Sequence, residues 1–275
     1  MRIIDCFPYN GESIALYRLS YLWDIVDEFI IVEAAETHAG EKKDYLYLNK
    51  YAQLLAPFNE KITRLVIESF PQPNADELAN LANRSYVQNP RVWFRECYQR
   101  NFARGHLTRI SSQMPWILMA CDVDEIPRYE VVEKLPNYYD FFVDPHKLEM
   151  LMFYYSSEWI KDNKWYGSYV VNNQGIAKYT LDDMRTDQKF KKFINDAGWH
   201  LSYFMTDEEI QRKIKSFAHT EYNTEQLRAL EWIRECKRTG MDLYNRGAQT
   251  DCAQYLGNNL PKGLREFERA HGIRD

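Results

Sequence analysis

An α/β fold, with a mostly parallel central sheet flanked by helices, is predicted by three features of the sequence. Strand-like and helix-like segments alternate over the first two-thirds of the chain. Several strand-like segments are unbroken apolar runs, as expected of strands covered on both faces. With 275 residues, 45% hydrophobic and 27% charged, the chain has ample surface to bury in a core.

Each element follows from a local signal. Arg2–Phe7 is a short apolar run closed by the turn signal Phe7-Pro8-Tyr9-Asn10-Gly11. Ile14, Tyr17, Tyr21, Leu22 and Ile25 recur at helical spacing and predict a helix over 12–26. Glu28–Ala34 (EFIIVEA) is rich in β-branched residues and predicts a buried strand. A helix is expected over 45–56, stopped by Pro57, and a strand over 62–67. Residues 71–90 carry three prolines and read as a polar connection, followed by a long helix over 91–107. Pro115–Cys121 (PWILMAC) is a strand with almost no polar content. Beyond Asp140 the pattern is more mixed. Strands are expected over 147–156, 165–171 and 199–204, a polar, loop-rich stretch over 175–192, and amphipathic helices over 207–217 and 225–238. No linker-like composition divides the chain, so one domain over 1–275 is expected.

Composition narrows the function classes. Against 40 acidic side chains stand 35 basic ones, a formal charge of −5, so no basic excess favours nucleic acid as a partner. The 20 Tyr and 7 Trp suit sugars and bases, and equally an ordinary core. No apolar run reaches the length of a transmembrane helix, and Met1–Pro8 lacks the apolar stretch of a signal peptide. Cys6, Cys97, Cys121, Cys236 and Cys252 form no Cys-x-x-Cys pair. Reduced thiols and a cytoplasmic location are therefore expected, without a disulfide framework or zinc knuckle.

Chemistry concentrates in Asp122-Val123-Asp124-Glu125-Ile126-Pro127, directly after the apolar strand. Acids at the tip of a buried strand are costly unless solvated, paired or bound to a cation. Two aspartates one residue apart in extended backbone point to one side and can share a magnesium or manganese ion. The alternative is a solvated turn that caps the next helix. In the helix Trp93–Asn101, Arg95 and Gln99 share a face, and Arg100 lies one turn beyond Glu96. This helix either aims cations at a diphosphate or carries a Glu96–Arg100 pair on a wet face. Glu33–Gly40 follows an early strand end and reads as a binding loop or as plain surface. Gly198–Tyr203, Lys213 and Ser216–Asn223 bring two histidines, His200 and His219, as third ligands, phosphate donors or structural residues.

With these residues in view, the sequence resembles the family 17 glycosyltransferases, which include the enzyme that adds the bisecting N-acetylglucosamine to N-glycans. The resemblance rests on Asp5-Cys6-Phe7, on Leu22–Asp27 leading into Ile31-Val32-Glu33, and on Gly40. It continues in Arg95–Asn101, Asp122–Pro127, Gly198–Ser202 and Lys213, in order from Arg2 to Gly240. It implies a GT-A fold, UDP-N-acetylglucosamine as donor, a divalent cation, Mn2+ or Mg2+, and inversion to a β-linkage. On that reading residues 1–140 bind the nucleotide sugar and 141–275 face the acceptor. The chain shows no anchor or stem like that of the animal enzyme, so a microbial or viral glycan, rather than a core mannose, is the expected acceptor.

The chemistry of such a transfer orders the candidate residues. Asp124 is the direct metal ligand, Asp122 the nucleotide-side or water-mediated one, and His200 or His219 completes the shell. Arg95, Arg100 and Lys213 are phosphate partners, with Glu33, Gly40, Gln99 and Asn101 beside the nucleotide sugar. For the base that takes the acceptor proton, Glu221 comes first, Glu125 second and Asp196 third. One rival is a phosphatase of the haloacid-dehalogenase type, with Asp122 as nucleophile. Another is a non-catalytic nucleotide-sugar or glycan binder on the same fold.

Overall fold

A computed structural model of the chain describes residues 1–111, 114–187 and 189–274. Residue 188, inside the stretch expected to be loop-rich, lies outside the described residues. Strand β1 (Arg2–Tyr9) leads through helix α1 (Ile14–Leu22) to β2 (Glu28–Ala34), which pairs parallel to it. Two short helices, α2 (Tyr47–Lys50) and α3 (Ala52–Leu55), and a 3-10 turn over Ala56–Lys61 lead to β3 (Ile62–Ile67). Pro57 therefore opens a turn instead of ending one long helix; its fixed φ and missing N–H suit a first-turn position.

Helix α4 (Ala75–Ala82) falls where the sequence predicts only a connection. Asn74 and Glu77 cap each other's backbone N–H groups there, a four-residue signal sufficient to start a helix. The helix expected over 91–107 is two, α5 (Pro90–Phe102) and α6 (Arg104–Ile110), broken at Ala103. Strand β4 (Trp116–Ala120) then pairs parallel to the free edge of β1.

The strands β3-β2-β1-β4 make a parallel unit, but the sheet as a whole is mixed, which corrects the expectation of a mostly parallel one. The remaining strands are β5 (Glu125–Pro127), β6 (His146–Tyr154), β7 (Trp159–Trp165), β8 (Tyr169–Asn172), β9 (Phe193–Ser202) and β10 (Ala253–Gln254). Pairs β4–β8, β6–β8, β6–β7, β7–β10 and β5–β9 are antiparallel, while β6–β9 is parallel. Residues 155–158 and 166–168 are the whole of the β6–β7 and β7–β8 connections. A parallel crossover needs about a dozen residues, so β7 turns back antiparallel on β6. Strands β7 and β8 both run antiparallel to β6 and so in one direction; the strand expected over 165–171 spans the end of β7, a break at 166–168 and most of β8.

Further α-helices among the described residues are α7 (Tyr129–Val132), α8 (Leu181–Thr186), α9 (Asp207–Ser216), α10 (Leu230–Thr239) and α11 (Leu264–Ala270). Side chains alternate across the sheet into two cores. Ile117 and Met119 join Phe7, Phe29, Phe153 and Trp199 on one face. Trp116 and Leu118 join Ile4, Val32 and Tyr169 on the other. Every residue of β2 and β4 is buried, so their carboxyl ends deliver side chains from a rigid centre. Among the described residues, no helix is long and apolar enough to cross a membrane.

Candidate functional site

Strand β4 leaves the sheet at Cys121 and enters a turn, in which the Glu125 N–H donates to the Asp122 carbonyl at 3.0 Å. Asp122-Val123-Asp124 is therefore not extended, and its two carboxylates are held by different partners. Arg100 of α5 donates to Asp122 Oδ1 at 2.5 Å, and Arg185 of α8 to Oδ2 at 2.6 Å. Lys213 of α9 donates to Asp124 Oδ2 at 3.0 Å, with His200 Nε2 3.6 Å from Oδ1.

These pairs set the local electrostatics. Burial alone would push the Asp124 carboxyl up, but Lys213 and His200 more than reverse this and hold it well below the usual range. Burial alone would lower the Arg100 guanidinium; Asp122 and Glu96 carry it well above its ordinary value instead. The Glu96–Arg100 pair anticipated on a wet face exists at 2.9 Å, and Arg100 bridges it to Asp122.

Glu125 has another role than the proton acceptor expected of it. It is fully buried, and its carboxylate accepts from Trp165 at 2.5 Å, from Arg185 at 2.9 and 3.1 Å, from the Asp122 N–H at 2.7 Å and from Ser168. Against burial, Arg185 holds it below the usual range, so it stays charged and anchors the turn. Underneath, Arg18 and Asp5 form a buried two-pronged pair at 2.6 and 2.7 Å, and Arg18 also reaches the carbonyls of Asp122 and Glu125.

The other predicted residues scatter. Glu33 accepts from the backbone N–H groups of Tyr47 and Leu48 at 2.7 and 2.9 Å, capping α2 and leaving no free edge for a ligand. Asn101 caps α8 by accepting from the Asp182 N–H at 3.0 Å, which helps to aim Arg185. Gln99 donates to the Val32 carbonyl at 2.7 Å, so its Oε1 faces His38 Nε2 at 2.7 Å. Burial pushes the His38 imidazole down, and Nε2 donates to that amide oxygen. Gly40 sits at φ 96°, where a Cβ would come within 2.9 Å of Arg95 Nη2; its absence lets Arg95 reach the His38 carbonyl at 3.0 Å.

His219 and Glu221 pair with each other at 2.7 Å, both partly exposed, and His219 stands edge-on to Trp93 at 5.0 Å. His219 therefore does not join Asp124 as the expected third ligand. Asp196, at φ 47°, pairs with Arg128 at 2.6 Å, four residues back along β9 from His200, away from the acidic turn. No local signal singles out Arg18, Arg185 or Ser168 as part of this cluster. Arg185 lies in the stretch read as loop, although the Thr180 side chain, which accepts from the Asp183 N–H, is a readable helix start.

A shallow pocket opens where Pro8, Val32 and Ala120 meet Gln99, Arg100 and Arg185. It lies at the carboxyl ends of β1, β2 and β4, where open α/β sheets bind ligands. Asp5, Glu96, Asp122, Asp124 and Glu125 face four fixed cations, Arg18, Arg100, Arg185 and Lys213, leaving one negative charge in excess. Among the described residues, no group of three or more His, Cys, Asp or Glu side chains builds a complete metal cage. Asp122, with a quarter of its side chain exposed, still offers hard oxygens in a net negative setting. Each of its two oxygens is bonded to a guanidinium, and Asp124, the expected direct ligand, is buried against Lys213 and His200.

The depressed Asp124 and Glu125 carboxyls make a pH prediction. Each ordinarily titrates near 3.8 or 4.5 and is held lower in the fold. Their contribution to stability is thus complete above those values and drains away as pH falls below them. Thermal unfolding is expected at a falling temperature from about pH 5 to pH 3, with a shallower fall in Asp124→Asn. Equal slopes in the two proteins would remove Asp124 from this account.

Comparison with known proteins gives one extended match, to the model of glycosyltransferase family 17 over residues 1–248. No curated protein matches the sequence. Among solved structures, galactosyltransferase LgtC in complex with donor and acceptor sugar analogs is similar at 11% identity, with 99% of this chain and 95% of that chain covered and a TM-score of 0.34. An active-site mutant of LgtC gives 11% identity, the same coverage of 99% and 95%, and a TM-score of 0.38.

Proposed function

The chain belongs to glycosyltransferase family 17, and from that membership we propose that it transfers N-acetylglucosamine from UDP-N-acetylglucosamine to a hydroxyl of a glycan or glycoconjugate. The fold assigned to it is GT-A, and the displacement inverts the sugar to a β-linkage. One observation carries the reading at residue level: Arg100 and Arg185 converge on Asp122 at the end of β4, beside a pocket.

In this reaction the acceptor oxygen bonds to sugar C1 as the bond from C1 to the diphosphate breaks. The electron pair leaves with UDP, and the acceptor proton passes to a base. Arg100 and Arg185 sit where negative charge grows on the diphosphate and oppose it from fixed positions. Lys213 holds Asp124 so that the turn keeps its shape. A manganese or magnesium ion held by Asp122, with Asp124 behind it, supplies Lewis-acid stabilisation of the same charge when bound. Glu221 keeps the role of base, because Glu125 is saturated and Asp196 is paired elsewhere. Its Oε1 is bonded to His219 Nδ1, which orients the carboxylate.

A donor screen tests the proposal. UDP release from UDP-N-acetylglucosamine is expected to exceed nucleotide release from GDP- and CMP-sugars, and to fall when a chelator replaces manganese or magnesium. Equal release from all donors would overturn the assigned donor, and indifference to the chelator the assigned ion.

A further inference from the structure

Lys147, on β6, is buried, and among the described residues no ion pair engages it. A buried ammonium is costly, and a methionine of similar length would fill the space without the charge. Its Nζ donates to the Arg185 carbonyl in the last turn of α8, where carbonyls left free by the helix concentrate partial negative charge. Its register partner on β8 is Tyr169, whose hydroxyl donates to the Leu181 carbonyl at 2.9 Å. Side chains of opposed residues stand on one face of a sheet. Two neighbouring strands thus pin α8 at its first and fifth residues. Those two carbonyls are ~6 Å apart along the helix, close to the ~4.8 Å between paired strands. From Arg185 the guanidinium runs on to Asp122 Oδ2 and to both carboxylate oxygens of Glu125. The space there has no slack, since a Cβ on Gly167 would come within 2.8 Å of Arg185 Nη1 and of Glu125 Oε1. A shift in the last turn of α8 is therefore passed to the guanidinium and not absorbed around it.

We propose that Lys147 is a positioning residue for the transfer: its ammonium holds the Arg185 carbonyl and so sets where the Arg185 guanidinium meets the diphosphate. The inference rests on the reading above, in which Arg185 opposes the charge of the departing diphosphate. The charge on Lys147 is the working part. Burial and the Arg185 guanidinium push the ammonium down to about 8, against the pull of Glu125 and Asp187. Of the other groups around it, the Tyr169 phenol is driven well above its ordinary value by burial and stays neutral. Lys192, just before β9, accepts from the Lys147 N–H through its carbonyl and turns its own ammonium to Asp144. Above about pH 8, then, Lys147 becomes neutral, its hold on the carbonyl weakens and the last turn of α8 is released.

Steady-state UDP release from UDP-N-acetylglucosamine, followed from about pH 7 to about pH 9.5, tests this on the wild type, Lys147→Met, Arg185→Ala and the Lys147→Met/Arg185→Ala double variant. Wild-type kcat is expected to fall as pH rises through about 8. Lys147→Met is expected to lower kcat about 10- to 100-fold near neutral pH, the usual result of a small misplacement of a distant group. It should change KM for the donor by no more than roughly twofold, and the alkaline fall should vanish. In the Arg185→Ala background the loss of Lys147 should cost no further turnover, because the two act as one unit. Melting temperatures separate this from a purely structural role. Between about pH 8 and pH 10 the unfolded wild type binds the proton that the folded chain has lost, so its stability rises with pH. Lys147→Met should therefore melt higher than the wild type below about pH 8, with the gap closing as pH rises. Wild-type kcat in Lys147→Met, an alkaline fall that persists in it, or an equal loss with and without Arg185 would overturn the positioning role and leave the donor reading standing. Wild-type turnover in Arg185→Ala would overturn the reading of Arg185 itself, and the proposal with it.

Discussion

Asp122→Asn is expected to lower turnover by about a hundredfold to a thousandfold, the usual loss when a fixed charge opposite the transition state is disturbed. The carboxylate bonds two guanidinium groups at once, Arg100 on Oδ1 and Arg185 on Oδ2. An asparagine keeps one acceptor and turns an amine donor towards the other guanidinium. One arginine must swing away, and the diphosphate loses a counter-charge as it leaves. Asp122 is partly exposed and its neighbours stay buried, so the fold should survive. UDP release, read beside the melting temperature, checks this. A variant that keeps a tenth or more of wild-type turnover would show that the turn is not the site of chemistry.

Arg18→Ala should cost about 3–5 kcal/mol of folding free energy, because it leaves a charge unpaired in the core. Arg18 and Asp5 have no exposed side-chain surface and bond each other through two prongs. Burial alone would lower the Arg18 guanidinium, yet Asp5 drives it further above its ordinary value. The same guanidinium donates to the Asp122 carbonyl at 3.1 Å and to the Glu125 carbonyl, so it also ties the acidic turn to β1. Lysine at this position would keep the charge but not the fork. Urea unfolding of Arg18→Ala, Arg18→Lys and an Asp5→Leu/Arg18→Met double variant separates the contributions. The double variant should recover most of the loss, since replacing a buried pair with apolar groups is often neutral. A loss below about 1 kcal/mol in Arg18→Ala would mean that water or another group satisfies Asp5.

Much of the parallel half was legible from residue order. The strands over 28–34 and 62–67 match the observed β2 and β3 end to end, because each is a short run bounded by turn residues. The antiparallel half was less legible. Pairing there depends on how short the connections are, and β7 (WIKDNKW) is polar and half-exposed, so no apolar pattern marks it. The capping box of α4 and the Thr180 cap of α8 were present as local signals among residues read as loop.

Residue order alone sets the acidic tip after β4, the cationic face of α5 and the order in which they follow the early strands. Those features are local, set by spacing within one strand or one helix. Which partners each charge meets is a matter of packing. Arg185 and Lys213 stand 63 and 89 residues from the carboxylates they bond, and Glu33 closes on a helix cap while Glu36 faces a pocket. A carboxylate in a sequence is only a capacity for binding; the packing of distant helices over the strand ends spends that capacity on a guanidinium, a backbone N–H or a ligand.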